Sequence, residues 1–232
     1  MDEMELALRE GLPALGLTLE EEAVSKLCRF GREVILQNRV MNLTAIVEPA
    51  QVARLHLLDS LSLLAAAPLS GRVIDVGCGA GFPGVPLKIA RPDLSMTLLD
   101  SLGKRTAWLE RTLPNLGISA QVLTARAEEA VSACRETYDF ALSRAVARLP
   151  IVLELTAPYV KVGGTVLAMK GSAAREEAED ARRAIPTLGL KLEAIREFPI
   201  GETRHQVVIL RKTAPTPAKY PRRYAKIKQS PL

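Results

Sequence analysis

The stretch DVGCGAGFPGVP, residues 75–86, holds four glycines and two prolines within twelve residues. It follows the apolar run RVI and leads into LKIARP, which is typical of a helix. Glycines remove the side chains that would hold a ligand away from the backbone, and a helix beginning after such a loop offers free N–H groups. The stretch therefore predicts a strand, a ligand-binding loop and a helix in succession.

Short apolar runs alternate with helical segments after this loop. Alternation at this spacing indicates parallel strands joined by right-handed crossovers. Near the end, Pro199 and Gly201 separate two strand-like runs that form a closing pair. We therefore expect an α/β fold with a mostly parallel sheet and an antiparallel closing strand. The predicted strands are RVIDV (72–76), SMTLLD (95–100), AQVLT (120–124), YDFALS (138–143), GTVLAMK (164–170), LKLEAIREF (190–198) and HQVVILRK (205–212).

Helical patterns dominate the chain before the loop. Thr18 and Glu21 have the spacing of a capping box, and a second helix is predicted from Pro49, which suits the first turn of a helix. We expect an N-terminal helical section (1–68) packed on the sheet-containing domain (69–212), followed by a basic, Pro-rich tail (213–232).

The net charge of +5 is concentrated in that tail. Seven of the 31 Lys and Arg residues lie from Arg211 onward, where no acidic residue occurs, and this leaves 24 basic against 26 acidic side chains elsewhere. The plain interpretation is a solvated, partly disordered terminus without regular helix. The functional interpretation is an arm that binds phosphates, with Tyr220 and Tyr224 stacking on bases.

Composition narrows the class of protein. We find no run of about eighteen uncharged apolar residues, and the N-terminus is acidic, so neither a membrane span nor a secretory signal is expected. Cys28, Cys78 and Cys134 show no CxxC spacing, which indicates a reducing compartment and no structural zinc site. We expect a cytoplasmic protein without membrane association or bound metal.

Two ligands compete for the glycine loop. Residues 79–84, GAGFPG, match the dinucleotide pattern G-x-G-x-x-G, whereas residues 75–81, DVGCGAG, match the acidic-x-G-x-G-x-G pattern of S-adenosylmethionine enzymes. The second frame starts its glycines directly after the strand, and Pro83 suits the first frame poorly. Asp100 ends the next strand, where a carboxylate either accepts the ribose hydroxyls of an adenosine ligand or caps the following helix. The loop therefore favours S-adenosylmethionine.

Six stretches of the chain match one protein family. They are VIDVGCGAGFPGVPLKIARPDLSMTLLDSLGKRTAWLE (73–110), NRVMNLTAI (38–46), LHLLDSL (55–61), SRAVA (143–147), MKG (169–171) and RHQVVIL (204–210). Through them the chain resembles the glucose-inhibited division protein B family, bacterial methyltransferases that act on guanine N7 of 16S ribosomal RNA. The resemblance implies a Rossmann-like, S-adenosylmethionine-dependent methyltransferase fold. Cys78 departs from the family, which usually has Ser or Thr there, but the side chain remains small.

The resemblance also implies where the cofactor binds. The positions it implies are Gly77 and Phe82 in the loop, Ala127 and Glu128 after the third strand, and Arg144 after the fourth. Gly79 in the loop pattern and Asp100 at the end of the second strand are also predicted to bind the cofactor. Without the family match, Glu128 could equally begin a capped acidic helix, and Arg144 could form a surface ion pair.

The expected chemistry needs no general base. Guanine N7 carries a lone pair and no proton, so the rate depends on holding nitrogen, methyl and sulfur in line. We expect Arg144 and Lys170 to position the substrate. His56, Asp59 and Ser60 share one face of the second helix, where they form either a polar stripe bonded to the domain behind it or a substrate-facing patch.

The expected partner is 16S rRNA or the 30S particle, bound by a monomer. Arg204, His205, Arg222 and Arg223 are predicted to contact RNA, and such phosphate contacts position the RNA without reading its sequence. Three alternatives stay open: a small-molecule methyltransferase, a dinucleotide-dependent oxidoreductase and a non-catalytic RNA-binding module.

Overall fold

The computed structural model describes residues 1–201 and 203–232, with Thr203 described by its backbone alone. Its strands are β1 (Arg72–Val76), β2 (Ser95–Asp100), β3 (Gln121–Thr124), β4 (Tyr138–Arg144), β5 (Val160–Lys170), β6 (Leu190–Ile200) and β7 (Thr203–Lys212). Its α-helices are α1 (Glu3–Gly11), α2 (Glu21–Met41), α3 (Pro49–Val52), α4 (Asp59–Ala66), α5 (Gly84–Ala90), α6 (Gly103–Asn115), α7 (Ala127–Ala130), α8 (Leu149–Thr156), α9 (Ala174–Asp180), α10 (Ala184–Thr187) and α11 (Tyr224–Gln229). Each predicted strand is present.

The seven strands form one sheet in the order β3-β2-β1-β4-β5-β7-β6. Strands β1 to β5 pair in parallel, and β7 lies antiparallel between β5 and β6. The predicted mostly parallel sheet with an antiparallel closing strand is confirmed. The strand order reverses between β1 and β4, so the loops that follow these strands open a crevice of the kind in which doubly wound folds bind ligands.

Both faces of the sheet are buried, which gives three layers. Neighbouring residues on a strand point to opposite faces, and Val73 and Leu167 join one apolar cluster whereas Ile74 and Val166 join the other. The first cluster contains buried apolar residues of α1 to α6, and the second contains buried apolar residues of α8 to α11. A register slip of one residue would exchange these two sets, so the pattern fixes the strand pairing.

The N-terminal helices pack on one face of the sheet. Helix α2 begins at Glu21 after Glu20, and no side chain caps its N-terminus, so the predicted capping box of Thr18 and Glu21 is wrong. Acidic residues in its first turn favour the helix dipole instead. The predicted helix start at Pro49 is confirmed, and the Glu48 carboxylate accepts two backbone N–H bonds of that first turn.

The second predicted helix contains an irregular turn. Between α3 and α4, residues 53–58 are π-helical rather than α-helical. Such turns often mark functional sites because they displace side chains and carbonyls from the regular helix pattern. The turn carries His56, whose side chain lies in the candidate site.

The basic tail packs against the domain instead of lying in solvent. Tyr220 and Ile227 are buried, and the guanidinium of Arg135 donates hydrogen bonds to the carbonyls of Thr216, Pro217 and Tyr220. The tail also contains α11, because its prolines lie outside that helix. The expectation of a partly disordered terminus is wrong. Among the described residues no helix is long and apolar enough to span a membrane, and no cluster of three or more His, Cys, Asp or Glu side chains could hold a metal ion.

Candidate active site

The glycine loop leaves β1 in a conformation that suits glycine. Gly77 and Gly79 have φ values of 78° and 57°, in the left-handed region. A Cβ on Gly77 would lie 2.5 Å from a methyl group of Val146, whereas a Cβ on Gly79 would meet only the Arg105 guanidinium, at 3.9 Å. Gly77 thus permits close packing of the loop, and Gly79 leaves the open side of the loop accessible to a ligand.

Asp100 ties the loop to the end of β2. One carboxylate oxygen accepts the N–H of Gly79 at 2.9 Å, and the other accepts the N–H of Leu102 at 2.8 Å, next to the start of α6. The N-cap residue of α6 is Leu102 and no side chain caps this helix, so the predicted helix-capping role of Asp100 is wrong. Each oxygen retains a second lone pair, so the predicted contact with a ribose remains compatible with this geometry and stays a prediction.

Asp75 is a fully buried carboxylate at the base of the loop. Its Oδ2 accepts the N–H of Gly84 at 2.8 Å. Its Oδ1 has no hydrogen-bond partner within residues 1–201 and 203–232. Burial raises the pKa of Asp75 to about 7. A buried oxygen with spare acceptor capacity is costly unless a donor or a cation reaches it, so this position suits a positively charged ligand group.

A cleft of about 1060 Å³ opens at the carboxyl ends of β4 and β5. The π-helical turn forms one wall, and residues 144–148 and 169–172 form another. Ala145 lies in that second wall with φ 55°, a strained conformation for a residue other than glycine. The volume reaches the upper end of the range found for small-molecule sites.

Arg144 stands at the centre of the cleft wall. Its Nη1 donates to the carbonyl of Leu55 at 3.0 Å and to Oδ2 of Asp59 at 2.9 Å, and its Nη2 lies 3.0 Å from Nδ1 of His56. Oδ1 of Asp59 in turn lies 2.7 Å from Nδ1 of His205 on β7. The network joins the π-helical turn, β4 and β7 across the cleft.

His56 is neutral at physiological pH. Burial, together with the positive charge of Arg144, lowers the pKa of the imidazole to about 4. His56 and Asp59 both line the cleft, whereas Ser60 is fully buried and donates its hydroxyl to the carbonyl of His56 at 2.6 Å. The three residues therefore do not act together: two face the cleft and bond to the domain behind it, and one stabilises the helix.

Lys170 lies in the cleft wall at the end of β5. Its Nζ donates to the carbonyl of Ala147 at 2.5 Å and pairs with Oε2 of Glu177 at 2.8 Å. The same Glu177 oxygen accepts the N–H of Leu149 at 2.7 Å. Lys170 therefore braces the segment that follows Arg144, and its predicted role in positioning substrate stays a prediction.

The Phe82 ring packs into the protein. It lies 5.3 Å from the Phe30 ring and 4.8 Å from the His56 imidazole, and the Arg144 guanidinium lies 5.1 Å from its centre. Phe82 thus fixes the glycine loop to α2 and to the π-helical turn. A contact between Phe82 and the cofactor remains a prediction. Because the ring is buried, we expect the backbone of Phe82 to make that contact.

Ala127 and Glu128 begin α7 beyond the end of β3. Thr124 at the end of β3 is the register partner of Asp100 on β2, so these two residues follow the strand beside Asp100. The carbonyl of Ala127 accepts the hydroxyl of Tyr159 at 2.6 Å. Their predicted contacts with the cofactor are compatible with this position.

The predicted RNA-binding residues fall into two groups. Arg204 and His205 line the cleft, and 77% of the Arg204 side chain is exposed where it pairs with Glu197. Arg222 and Arg223 lie on the tail, outside the residues that line the cleft. Arg222 is bound to the fully buried carboxylate of Glu154 at 2.6 Å, which anchors the tail.

Thr44, Arg148 and Glu177 were not identified from the sequence as side chains of the site. Thr44 lies 2.8 Å from Nε2 of His56, and Glu177 binds Lys170. Thr44 is inside the family-like stretch NRVMNLTAI, which was a usable signal. Glu177 belongs to an acidic helix whose sequence resembles any solvated helix face, so no local signal marked it.

Comparison with known proteins agrees with this geometry. Residues 23–207 match the family profile described as GidB, rRNA small subunit methyltransferase G. A protein named ribosomal RNA small subunit methyltransferase G from Acetivibrio thermocellus is 41% identical over 242 residues, which cover 100% of both chains. One of the same name from Thermoanaerobacter pseudethanolicus is 41% identical over 232 residues and covers 97% of each chain. The chain belongs to the rRNA small subunit methyltransferase G family.

The fold of this family member is that of S-adenosylmethionine-dependent methyltransferases. A SAM-dependent methyltransferase from Aquifex aeolicus superimposes with a TM-score of 0.54 and 17% identity over 70% of this chain and 93% of that one. The family and the fold imply S-adenosylmethionine as the cofactor. The site fits it: Gly79 leaves open space, Asp100 has lone pairs for a ribose, and the unpartnered oxygen of Asp75 suits the ammonium group.

Proposed function

We propose that the protein transfers a methyl group from S-adenosylmethionine to N7 of a guanine in 16S rRNA. The observation that supports it most is the cleft beside the glycine loop, which is rich in cationic and imidazole side chains. Those side chains are Arg144, Arg148, Lys170, Arg204, His56 and His205. The four Arg and Lys side chains outnumber the two carboxylates in the lining, Asp59 and Glu177, so the cleft attracts a polyanion. Its position beside the loop gives an RNA base access to the reacting end of the cofactor.

The proposed reaction needs no general base, so the side chains of the cleft can stay in their hydrogen bonds and ion pairs while it proceeds. Bound S-adenosylmethionine supplies an electrophilic methyl group on a positively charged sulfur. The N7 lone pair forms the new carbon–nitrogen bond as the carbon–sulfur bond breaks, and the positive charge passes from sulfur to the guanine ring. No proton leaves N7, so Asp59 and Glu177 can remain in their ion pairs with Arg144 and Lys170 throughout.

The chain's contribution is therefore orientation. Arg144 is held by three acceptors from two helical segments, and Lys170 braces the segment that follows it. A guanidinium fixed in this way can hold O6 of a guanine or a phosphate oxygen in one geometry. Holding the reactants in line is the main source of rate when no proton is transferred.

The test is methyl transfer from tritium-labelled S-adenosylmethionine to purified 16S rRNA and to 30S particles. Digestion of the product identifies the labelled nucleoside. Label in 7-methylguanosine is expected, and the better substrate shows whether assembly is required. Transfer to a metabolite without RNA favours the small-molecule alternative, and RNA binding without transfer favours a binding module. Either result overturns the proposal.

Partner and location follow from the same proposal. A monomer that acts on 16S rRNA or the 30S particle in the cytoplasm accords with a site formed within one chain. Size-exclusion chromatography with light scattering, with and without RNA, measures the oligomeric state directly.

A further inference from the structure

A continuous chain of hydrogen bonds crosses the cleft from α2 to β7. Oδ1 of Asn38 accepts the N–H of Thr44 at 2.8 Å, and the Thr44 hydroxyl lies 2.8 Å from Nε2 of His56. Nδ1 of His56 contacts Arg144, and Arg144 donates a hydrogen bond to Asp59. Asp59 in turn contacts His205. Thr44 lies in the loop between α2 and α3 (residues 42–48), and its hydroxyl connects this loop to the imidazole, while Thr44 itself is not among the residues that line the cleft.

The contact with Arg144 points to one tautomer of His56. Arginine donates hydrogen bonds and accepts none, so the Nη2 of Arg144 at 3.0 Å requires Nδ1 of His56 to be the acceptor. Nδ1 also lies 3.0 Å from the carbonyl of Leu55, which accepts from Nη1 of the same guanidinium. The guanidinium thus bridges two acceptors and offsets their repulsion. A neutral imidazole with a bare Nδ1 carries its proton on Nε2, where Thr44 is the partner.

We propose that Thr44 is a positioning residue that accepts the Nε2–H of His56 and so keeps Nδ1 of His56 as the acceptor that orients Arg144. Without the Thr44 oxygen, the Nε2–H would be buried beside the Phe82 ring with no acceptor. The proton would then favour Nδ1, where the carbonyl of Leu55 can accept it. A proton on Nδ1 opposes the guanidinium, and Arg144 must leave its present position.

The consequence for the reaction rests on the proposed function. Arg144 faces the cleft in which the acceptor base and the reacting end of the cofactor meet, so its displacement lowers the rate of a correctly bound complex. The Thr44 hydroxyl has a second, purely structural contact, since it accepts the N–H of Ile46 at 3.0 Å. The experiment must separate these two contacts.

The histidines allow a direct measurement. The chain contains two, His56 and His205, so long-range ¹H–¹⁵N correlation spectra of the ¹⁵N-histidine-labelled full-length protein resolve both rings. His56→Gln assigns them by the loss of one set of signals. The wild-type His56 is expected as the neutral Nε2–H tautomer at pH 7. Observation of the Nδ1–H tautomer or of a cation overturns the proposal without any measurement of activity.

Three variants then test Thr44. Thr44→Val keeps the shape but removes the acceptor, and Thr44→Ser keeps the hydroxyl. Ser60→Ala is the matched control, because it removes a different buried hydroxyl, which donates to the backbone carbonyl of His56 and not to its ring. In Thr44→Val we expect His56 to shift toward the Nδ1–H tautomer. We also expect kcat for RNA methylation to fall about three- to tenfold, with KM changed less than twofold. Thr44→Ser and Ser60→Ala are expected to retain the wild-type tautomer and kcat.

The outcomes are separable. An unchanged tautomer in a folded Thr44→Val protein, or a shifted tautomer with unchanged kcat, overturns the positioning role. A fall in kcat with an unchanged tautomer assigns the effect to the Ile46 contact and also overturns it. Absence of methylation by the wild type defeats the proposed function, whereas the spectra decide the role of Thr44 independently.

Discussion

The carboxylate of Asp100 accepts the backbone N–H of Gly79 at 2.9 Å, so the last residue of β2 directly holds the loop that leaves β1. The other oxygen accepts the N–H of Leu102 at 2.8 Å. One side chain therefore shapes both the loop and the approach to α6. The loop conformation and the predicted ribose contact depend on the same negative charge.

Asp100→Asn is expected to weaken binding of S-adenosylhomocysteine by about 10- to 100-fold. The amide retains one acceptor atom, and its NH2 group must face one of the two backbone donors, so at least one charge-assisted hydrogen bond is lost. Isothermal titration calorimetry measures the change. Asp93→Asn is the control, because Asp93 is an exposed partner of Arg91 in the turn before β2. Affinity within twofold of the wild type would contradict the role of Asp100.

The fold was predictable because its signals are local. β1 is a short apolar run that ends at a turn rich in Gly and Pro, so β1 and the glycine loop could be identified without knowledge of their neighbours. The start of α2 was placed near the right residue with the wrong cause, since three glutamates in succession favour that end of a helix without any side-chain cap.

The site was only partly predictable because its contacts join distant parts of the chain. Arg144 meets Leu55, Asp59 and His56 across 85 to 89 residues of sequence. Arg222 meets Glu154 across 68 residues. The family resemblance indicated that Arg144 matters, but no pattern along the chain shows which groups hold it, nor that a basic tail residue is used for anchoring.

The buried imidazole of His56 predicts a loss of stability in acid. Its pKa of about 4 lies below the ordinary value of 6.5. As the pH falls below 6.5, His56 becomes protonated in the unfolded chain but stays neutral in the folded chain until about pH 4. The free energy of unfolding therefore decreases as the pH falls from 6.5 to 4. The full effect is about 3 kcal/mol. Asp75 acts in the opposite sense, because its raised pKa of about 7 lets the folded state take up a proton first.

The His56→Gln variant lacks the loss of stability that His56 causes in acid, so the opposite effect of Asp75 on the free energy of unfolding should become visible. Between pH 6.5 and 4.5 the free energy of unfolding of the variant is expected to rise relative to that of the wild type, by up to about 2 kcal/mol. Urea denaturation at a series of pH values measures the difference. A difference between the two proteins that does not change with pH would show that His56 is protonated equally in the folded and unfolded states.

The Arg222–Glu154 pair predicts that the tail is part of the folding unit. Glu154 is fully buried, and its two oxygens accept three hydrogen bonds from Arg222. Arg222→Met leaves that carboxylate unpaired and is expected to destabilise the protein by about 3–5 kcal/mol, whereas adding Glu154→Gln should restore much of the loss. Urea denaturation of the single and double variants gives the coupling. Full additivity would mean that the pair does not act as a unit.

This anchoring changes how the RNA interface must be tested. Removal of residues 213–232 would expose the core around Tyr220 and Ile227 and leave Glu154 unpaired, so weaker RNA binding after truncation could follow from lost stability alone. Substitution of a single exposed charged residue at the cleft tests RNA binding without this loss of stability.

Arg204→Gln is expected to weaken RNA binding while leaving cofactor affinity unchanged. Arg204 lies on the rim of the cleft with a largely exposed side chain, and its pair with Glu197 is weak because water screens it. If Arg204 contacts one phosphate, the slope of log K against log salt concentration becomes shallower by about 0.7. Fluorescence anisotropy with a labelled 16S rRNA fragment measures the slope between low and moderate salt. Arg91→Gln is the control, since Arg91 also forms an ion pair at the surface, in the turn between α5 and β2, away from the carboxyl ends of the strands. Equal slopes for the wild type and Arg204→Gln would place the RNA backbone elsewhere on the surface.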